Sequence, residues 1–228
     1  MRASRPSVRV ELFAQLAGRV DELGLRRGRP VVVLVGGAGG MGKTDLGLVD
    51  GLLREAVFPL LDRLDAVVVD GGTDSGVMRV AGRALYAVGA RFPLLGVVAT
   101  GTVGADGDGE LEPYHTHTLL VPGATWGDES PWLAGVASVI AGGGPSVTLV
   151  VNGGAITYDD IARSLDLGRP ILVVAGTGRT ADAVAEASAG RLADPRAAEV
   201  AASPLTTVVD IADRAAITAA LETALAKP

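Results

Sequence analysis

Val31-Val32-Val33-Leu34-Val35-Gly36-Gly37-Ala38-Gly39-Gly40-Met41-Gly42-Lys43-Thr44 is the stretch whose reading decides the fold. Its first five residues follow Pro30 and are mostly β-branched, as in a strand buried on both faces. Five glycines then fall within nine residues, Gly36 to Thr44. Helical spacing begins at once: Leu46, Val49, Leu53, Val57 and Leu60 recur at intervals of three and four. A strand, a glycine loop and a helix N-terminus in that order make a phosphate site. The glycines let the backbone approach a ligand, and the helix end offers free amides and partial positive charge.

The same alternation runs outward from this unit. Strand-like runs occur at Ala66 to Val69, Leu94 to Val98, Val147 to Val151, Ile171 to Val174 and Thr206 to Val209. Helix-like stretches are Leu46 to Leu64, Gly76 to Val88, Pro131 to Ile140, Thr157 to Leu165, Thr180 to Ala189 and Ala215 to Leu225. Strands and helices in alternation, with wholly apolar strands, predict an α/β fold. It is Rossmann-like and doubly wound, with a mainly parallel sheet and helices on both faces. One domain over 1–228 is expected. Residues 1–29 read as an N-terminal extension with a short strand (Val8 to Val10) and a helix (Leu12 to Leu23). Residues 100–130 read as an excursion loop carrying one short candidate strand, Thr118 to Val121. Ser130 suits an N-cap before Pro131. The tip around Ala105 to Glu110 has no clear pattern.

Composition agrees. Of 228 residues 48% are hydrophobic but only 4% aromatic, so the core is aliphatic. A net charge of −6 disfavours nucleic acid as a partner. No cysteine is present to form disulfides or a thiolate metal site. With no membrane-length apolar run and no signal peptide evident at Met1-Arg2-Ala3-Ser4, the expectation is a cytoplasmic protein without membrane contact.

The first loop fits two patterns. Gly37, Gly39 and Gly42 satisfy a dinucleotide fingerprint, with Asp70 as ribose partner. Gly37, Gly42, Lys43 and Thr44 satisfy a P-loop, with Asp70 as a magnesium-site acid. A tight turn without ligand is the plainer alternative. A second glycine loop, Asp70-Gly71-Gly72-Thr73-Asp74-Ser75-Gly76-Val77-Met78, follows the next strand and aims further backbone amides at the same crevice. It suits a ligand with more than one phosphate or sugar.

These residues carry a resemblance. Gly71-Gly72 followed by Gly76-Val77-Met78 resembles the glycine loop of the SLOG superfamily. That superfamily joins the "lonely guy" (LOG) cytokinin-activating phosphoribohydrolases, the DNA-processing protein A family and the N-terminal region of melastatin-type TRP channels. Glu112-Pro113-Tyr114-His115-Thr116-His117, before Leu119-Leu120-Val121, resembles the channel's Asn-His-Ser/Thr-His segment. Val151-Asn152-Gly153-Gly154 resembles its glycine turn, and Ala175-Gly176-Thr177-Gly178-Arg179-Thr180-Ala181-Asp182 its Gly-Ser-Gly-Arg-Ala-Ala-Asp loop. The motifs keep the family's order over about residues 30–190, and a stand-alone prokaryotic relative fits best. The resemblance implies a sensor of ADP-ribose, cyclic ADP-ribose or an NAD-related compound, requiring no further cofactor. Implied ligand-binding residues are Gly36, Gly37, Ala38, Gly39, Gly40, Met41 and Gly42, then Gly71, Gly72, Thr73, Gly76, Val77 and Met78. His117, Asn152, Gly153, Gly154, Gly176, Thr177, Gly178, Arg179 and Thr180 complete the set. A homodimer and an effector protein on another chain are left open.

Arg179 stands where a helix begins, an end that favours anions. A bound phosphate would resolve that conflict, and an exposed arginine reaching water is the alternative. The LOG enzymes carry Pro-Gly-Gly-x-Gly-Thr-x-x-Glu. Here the stretch is Asn152-Gly153-Gly154-Ala155-Ile156-Thr157-Tyr158-Asp159-Asp160, with aspartate for the glutamate. The shorter acid weakens a hydrolase reading, in which Asp160 would be the catalytic candidate; first-turn helix acids are the commoner role for Asp159 and Asp160. A P-loop ATPase using Lys43 is a further alternative, and a solvated Lys43 the plain one. His115 and His117 would face one way on a strand but lack a third metal ligand, so no metal is expected. Trp126 and Trp132 could stack on a base or anchor the excursion to the core, and with so few aromatics in the chain anchoring is the expectation.

Overall fold

In the computed structural model, which describes residues 5–104, 107–191 and 194–226, the apolar runs become one eight-stranded sheet. The strands are β1 (Ser7–Arg9), β2 (Val31–Gly36), β3 (Val67–Asp70), β4 (Leu94–Ala99), β5 (His117–Val121), β6 (Ser146–Val151), β7 (Ile171–Ala175) and β8 (Thr206–Asp210). Their order is β1-β5-β4-β3-β2-β6-β7-β8, and each strand pairing is parallel. The helices are α1 (Leu16–Glu22), α2 (Lys43–Leu52), α3 (Phe58–Arg63), α4 (Gly76–Val88), α5 (Ser130–Ala141), α6 (Ala155–Asp166), α7 (Arg179–Ser188), α8 (Pro195–Ala202) and α9 (Arg214–Leu225).

Alternation along the strands feeds two cores. Val33, Val69, Leu95, Val150 and Val173 meet α1, α5, α6, α7 and α8 through Val20, Val136, Ile140, Ile161, Val184 and Val200. Val32, Leu34, Val68, Leu94, Leu149 and Leu172 face the opposite way, onto Leu52, Phe58, Leu61, Val77, Leu85, Ile217 and Leu221 of α2, α3, α4 and α9. The doubly wound expectation therefore holds. The chain runs from β2 through β3 and β4 to β5 on one side, then from β6 to β8 on the other. It reverses between β2 and β6, which pair from Val31↔Ser146 to Gly36↔Val151. Open α/β sheets bind ligands at the carboxyl ends beside such a reversal.

Five details differ from the sequence reading. Residues 5–29 are not a mere extension: β1 is an edge strand beside β5, and α1 packs on α5. The 100–130 segment does not simply leave the sheet, since β5 sits inside it between β1 and β4. The helix expected from Leu46 to Leu64 starts at Lys43 and carries a π turn, Leu53–Val57, just before Pro59, which has no amide to continue the ladder. Helix α5 begins at Ser130 itself, with Glu129 at the cap. Helix α8 was not anticipated, although Asp194 before Pro195 is a readable start: its side chain accepts the Arg196 amide. Among the described residues no helix is long and apolar enough to cross a membrane.

Candidate functional site

The site grows from three loops at the carboxyl edge. Gly36 ends β2 so close to β6 that a Cβ would lie 2.2 Å from the Val151 carbonyl oxygen and 2.9 Å from Val77 Cγ2. After the buried Gly37 the chain runs exposed from Ala38 to Gly40, then through the half-buried Met41 to Gly42, the N-cap of α2. The second loop, after β6, begins with Asn152, a non-glycine residue held at φ +59°. Its amide Nδ2 donates to the Thr177 carbonyl at 2.6 Å, and its backbone N donates to Thr177 Oγ1 at 2.7 Å. Its Oδ1 is buried without a partner against Gly37, where a Cβ would sit 2.5 Å away. Asn152 thus staples the β6 and β7 loops behind the first glycine loop.

The third loop presents Arg179, again at positive φ (+53°). Its Nη1 donates to the Gly39 carbonyl at 2.8 Å, and its guanidinium also lies against Gly40 and Gly154. It has no carboxylate partner among the described residues. Gly154 is in turn the N-cap of α6, so glycine-loop backbone, a helix N-terminus and an unpaired guanidinium converge.

A cavity of about 730 Å³ opens from this point. Of the expected ligand residues, Gly36, Gly37, Ala38, Gly39, Gly71, Thr73, Met78, Gly154 and Arg179 line it, and so does Asp160. The others do not. Gly40, Met41 and Gly42 continue the first loop outside the lining, and Lys43 is solvated on α2. Gly72 packs on β4, where a Cβ would come within 2.6 Å of Gly96 Cα. Gly76 lies under Gly37 and Ala38, and the Val77 amide is spent on the Gly37 carbonyl at 3.0 Å. Gly153, Gly176, Thr177, Gly178 and Thr180 sit behind the lining. A Cβ on Gly153 would come within 2.8 Å of Thr180 Cβ, and one on Gly178 within 2.9 Å of Asn152 Nδ2. The Gly176 amide donates to Asp182, and Thr180 Oγ1 donates to the Gly154 carbonyl.

The histidines are placed differently from expectation. The strand starts only at His117, after a turn at Pro113-Tyr114, so the pair does not share a face. His117 is remote from the cavity, near Arg29 and Leu23. Burial lowers its pKa first and Arg29 adds to the effect. His115 is fully buried on the α4 side. Nε2 lies 2.7 Å from Asp70 Oδ1 and Nδ1 2.8 Å from Glu112 Oε2. Burial alone would lower its pKa, but Asp70 and Glu112 outweigh that and raise it to about 9. Asp70 is therefore neither a ribose partner nor a magnesium-site acid: its side chain is wholly buried on His115 and the Gly72 amide. Among the described residues no group of three or more His, Cys, Asp or Glu is placed to hold a metal ion.

The opposite wall was not legible as a motif. It includes Asp74, Arg79, Asp108, Glu110, Trp126, Glu129, Leu133 and Ile156. Trp132 does anchor the segment, stacked on Phe13 at 4.0 Å, but Trp126 stays 42% exposed at the cavity. Arg79 is tied to Asp74 at 2.7 Å and to its carbonyl. Asp159 and Asp160 fall beyond the first turn of α6, so neither is a first-turn acid. Burial raises the Asp160 pKa; the Ser130 hydroxyl opposes this, and Glu129 and Asp159 add to it, leaving it at about 7. Burial likewise pushes Glu129 up.

A carboxyl with its pKa raised on folding stabilises the fold below its ordinary value of 3.8, and loses that contribution as pH rises toward 7. Asp160→Asn is therefore expected to be more stable than wild type at pH 7.5 by about 1–3 kcal/mol, less than the full shift because the cavity admits water. The gain should vanish near pH 4. Thermal melts at both values check this; an equal gain at both would show that Asp160 does not carry the effect.

A family model described as "SLOG in TRPM, prokaryote" matches residues 29–220. No curated protein matches. Among solved structures, the chain is similar to the molybdenum cofactor carrier protein of Chlamydomonas reinhardtii, with 18% identity and a TM-score of 0.59, covering 87% of this chain and 99% of that one. It also matches the molybdenum cofactor binding protein of the phototrophic bacterium Rippkaea orientalis, with 16% identity and a TM-score of 0.46, over 63% of this chain and 75% of that one. The first likeness carries the fold. The family model spans the reversal, all three loops and Arg179, and the chain belongs to the prokaryotic SLOG family related to the TRPM channel domain.

Proposed function

We propose that this chain binds a phosphate-bearing, nucleotide-derived ligand of the ADP-ribose class at the β2–β6 reversal, as a sensor read by a partner protein on another chain. The observation that carries this reading is Arg179. An unpaired guanidinium is laid across the first glycine loop and the α6 N-cap at the mouth of a nucleotide-sized cavity. A phosphate between the Ala38–Gly39 backbone, the α6 N-terminus and Arg179 would receive amides and a charged donor together. No cofactor beyond the ligand is required, and the reading places the protein in the cytoplasm. Calorimetric titration of ADP-ribose into wild type and Arg179→Ala tests it. The expected loss is about 10- to 100-fold in affinity with an unchanged melting temperature. Equal binding by both proteins would remove Arg179 from the site and the reading with it.

One observation favours a second reading, hydrolysis of the ligand's N-glycosidic bond. Asp160 lines the same cavity with its pKa raised to about 7, near where a general acid or base operates. Recovery of intact ligand after the titration separates the two. Breakdown abolished in Asp160→Asn, with binding retained, would establish the enzyme.

A further inference from the structure

The cavity is short of positive charge, and the ligand has to answer for it. Arg79 is committed to Asp74, which leaves Arg179 as the unpaired guanidinium of the lining. Against it stand four carboxyls, Asp108, Glu110, Glu129 and Asp160, and none of them has an ion-pair partner among the described residues. A ligand that is anionic throughout satisfies the cradle but adds negative charge beside this wall.

The wall also holds an aromatic face. Trp126 rests on Gly109, where a Cβ would come within 2.7 Å of Cη2, and the adjoining Gly127 rests on Ile156. Glu129 accepts the Gly127 amide at 2.9 Å, so indole and carboxyl are braced on one turn. An exposed indole among carboxyls is the chemistry that receives a delocalised organic cation. The two ends are set apart by α6: Asp160 follows the Gly154 cap by six residues, about 9 Å of helix at 1.5 Å per residue. That spacing leaves room for a sugar between a phosphate and a second ring.

Resting on the reading above, we propose that the ligand is a nucleotide whose second ring is an N-alkylated aromatic cation, as in an oxidised pyridine dinucleotide. The phosphates lie on the Gly36–Gly39, Gly154 and Arg179 cradle, and the cationic ring lies between Trp126 and the Glu129 and Asp160 carboxyls.

The oxidised and reduced forms of one dinucleotide differ mainly in the charge of that ring, so their comparison isolates the claim. The experiment is calorimetric titration with the oxidised form, the reduced form and ADP-ribose, in the presence of EDTA, on wild type, Arg179→Ala, Trp126→Leu and Glu129→Gln. Each ligand is checked for integrity, and each variant for its melting temperature. Wild type is expected to bind the oxidised form roughly tenfold more tightly than the reduced form. That ratio should fall toward one in Trp126→Leu and in Glu129→Gln, while Arg179→Ala weakens all three ligands. Equal affinity for the two forms, or a preference kept by both wall variants, overturns this inference and leaves the phosphate cradle standing if ADP-ribose binding still depends on Arg179. Binding of every ligand unaffected by Arg179→Ala overturns both.

Discussion

His115→Leu is expected to destabilise the protein by about 3–5 kcal/mol, the scale of breaking a buried charge cluster by removing one partner. For a chain of this size that lowers the melting temperature by roughly 6–20 °C. Both ring nitrogens of His115 face carboxylate oxygens, so the ring carries two protons and a positive charge. Glu112 Oε2 also collects the Tyr114 and His115 amides, and Asp70 Oδ1 the Gly72 amide, so the cluster fixes the turn before β5 against the second glycine loop. The leucine variant leaves two carboxylates in the interior without their cation. The pH dependence is the sharper signature. A histidine whose pKa rises on folding contributes fully below about 6.5 and loses that contribution as pH rises toward about 9. The difference in melting temperature between wild type and His115→Leu should therefore shrink from pH 6.5 to pH 9. A constant difference across that range would mean that the ring stabilises by packing and not by charge.

Gly76→Ala is expected to cost about 2–4 kcal/mol and to weaken ligand binding as well. Gly76 has φ +46°, which a side chain tolerates at about 1–2 kcal/mol. Its Cβ would lie 1.8 Å from the Gly37 carbonyl oxygen and 2.7 Å from Ala38 Cα, both backbone atoms that cannot turn away. Relief requires the first glycine loop to lift off the α4 N-terminus, and that loop lines the cavity. Gly47→Ala provides the contrast. It sits inside α2 with nothing within 4 Å of a Cβ, and should stabilise by about 0.5–1 kcal/mol with no effect on binding. Melts and titrations of the two variants side by side check this. A Gly76→Ala protein as stable as wild type would show that the two loops are not welded there.

These two cases also mark where the sequence was readable. Apolar runs between turn residues located the strands to within a residue at their ends, because the central strands are almost wholly apolar. That the first glycine loop, Gly154 and Arg179 meet at one edge of the sheet was legible, since glycines at strand ends before helices have few other uses. The Asp70–Met78 glycine loop is legible only in part: Gly71, Thr73 and Met78 line the cavity, while Gly72 and Gly76 do not. Gly72 and Gly76 look like ligand glycines but are small because Gly96 and Gly37 press on them, and a pattern of glycines does not say which atom takes the space. Asp70 was read as a ligand acid because its partner His115, 45 residues later, appears only in three dimensions. His117 entered the expected set only through the resemblance, and it stands at the start of β5, outside the cavity lining. The acidic and indole wall has no motif: Trp126 and Glu129 meet the α6 acid only after the 100–130 segment folds back over the sheet edge.

The most direct test of the central claim is a crystal structure of the protein with ADP-ribose. The account predicts a phosphate within hydrogen-bond distance of the Arg179 guanidinium and of backbone amides in the Gly37–Gly40 loop, with the remainder of the ligand along the wall that carries Trp126, Glu129 and Asp160. A ligand bound elsewhere, or one whose phosphates leave Arg179 on the Gly39 carbonyl and lie away from that loop, would contradict it.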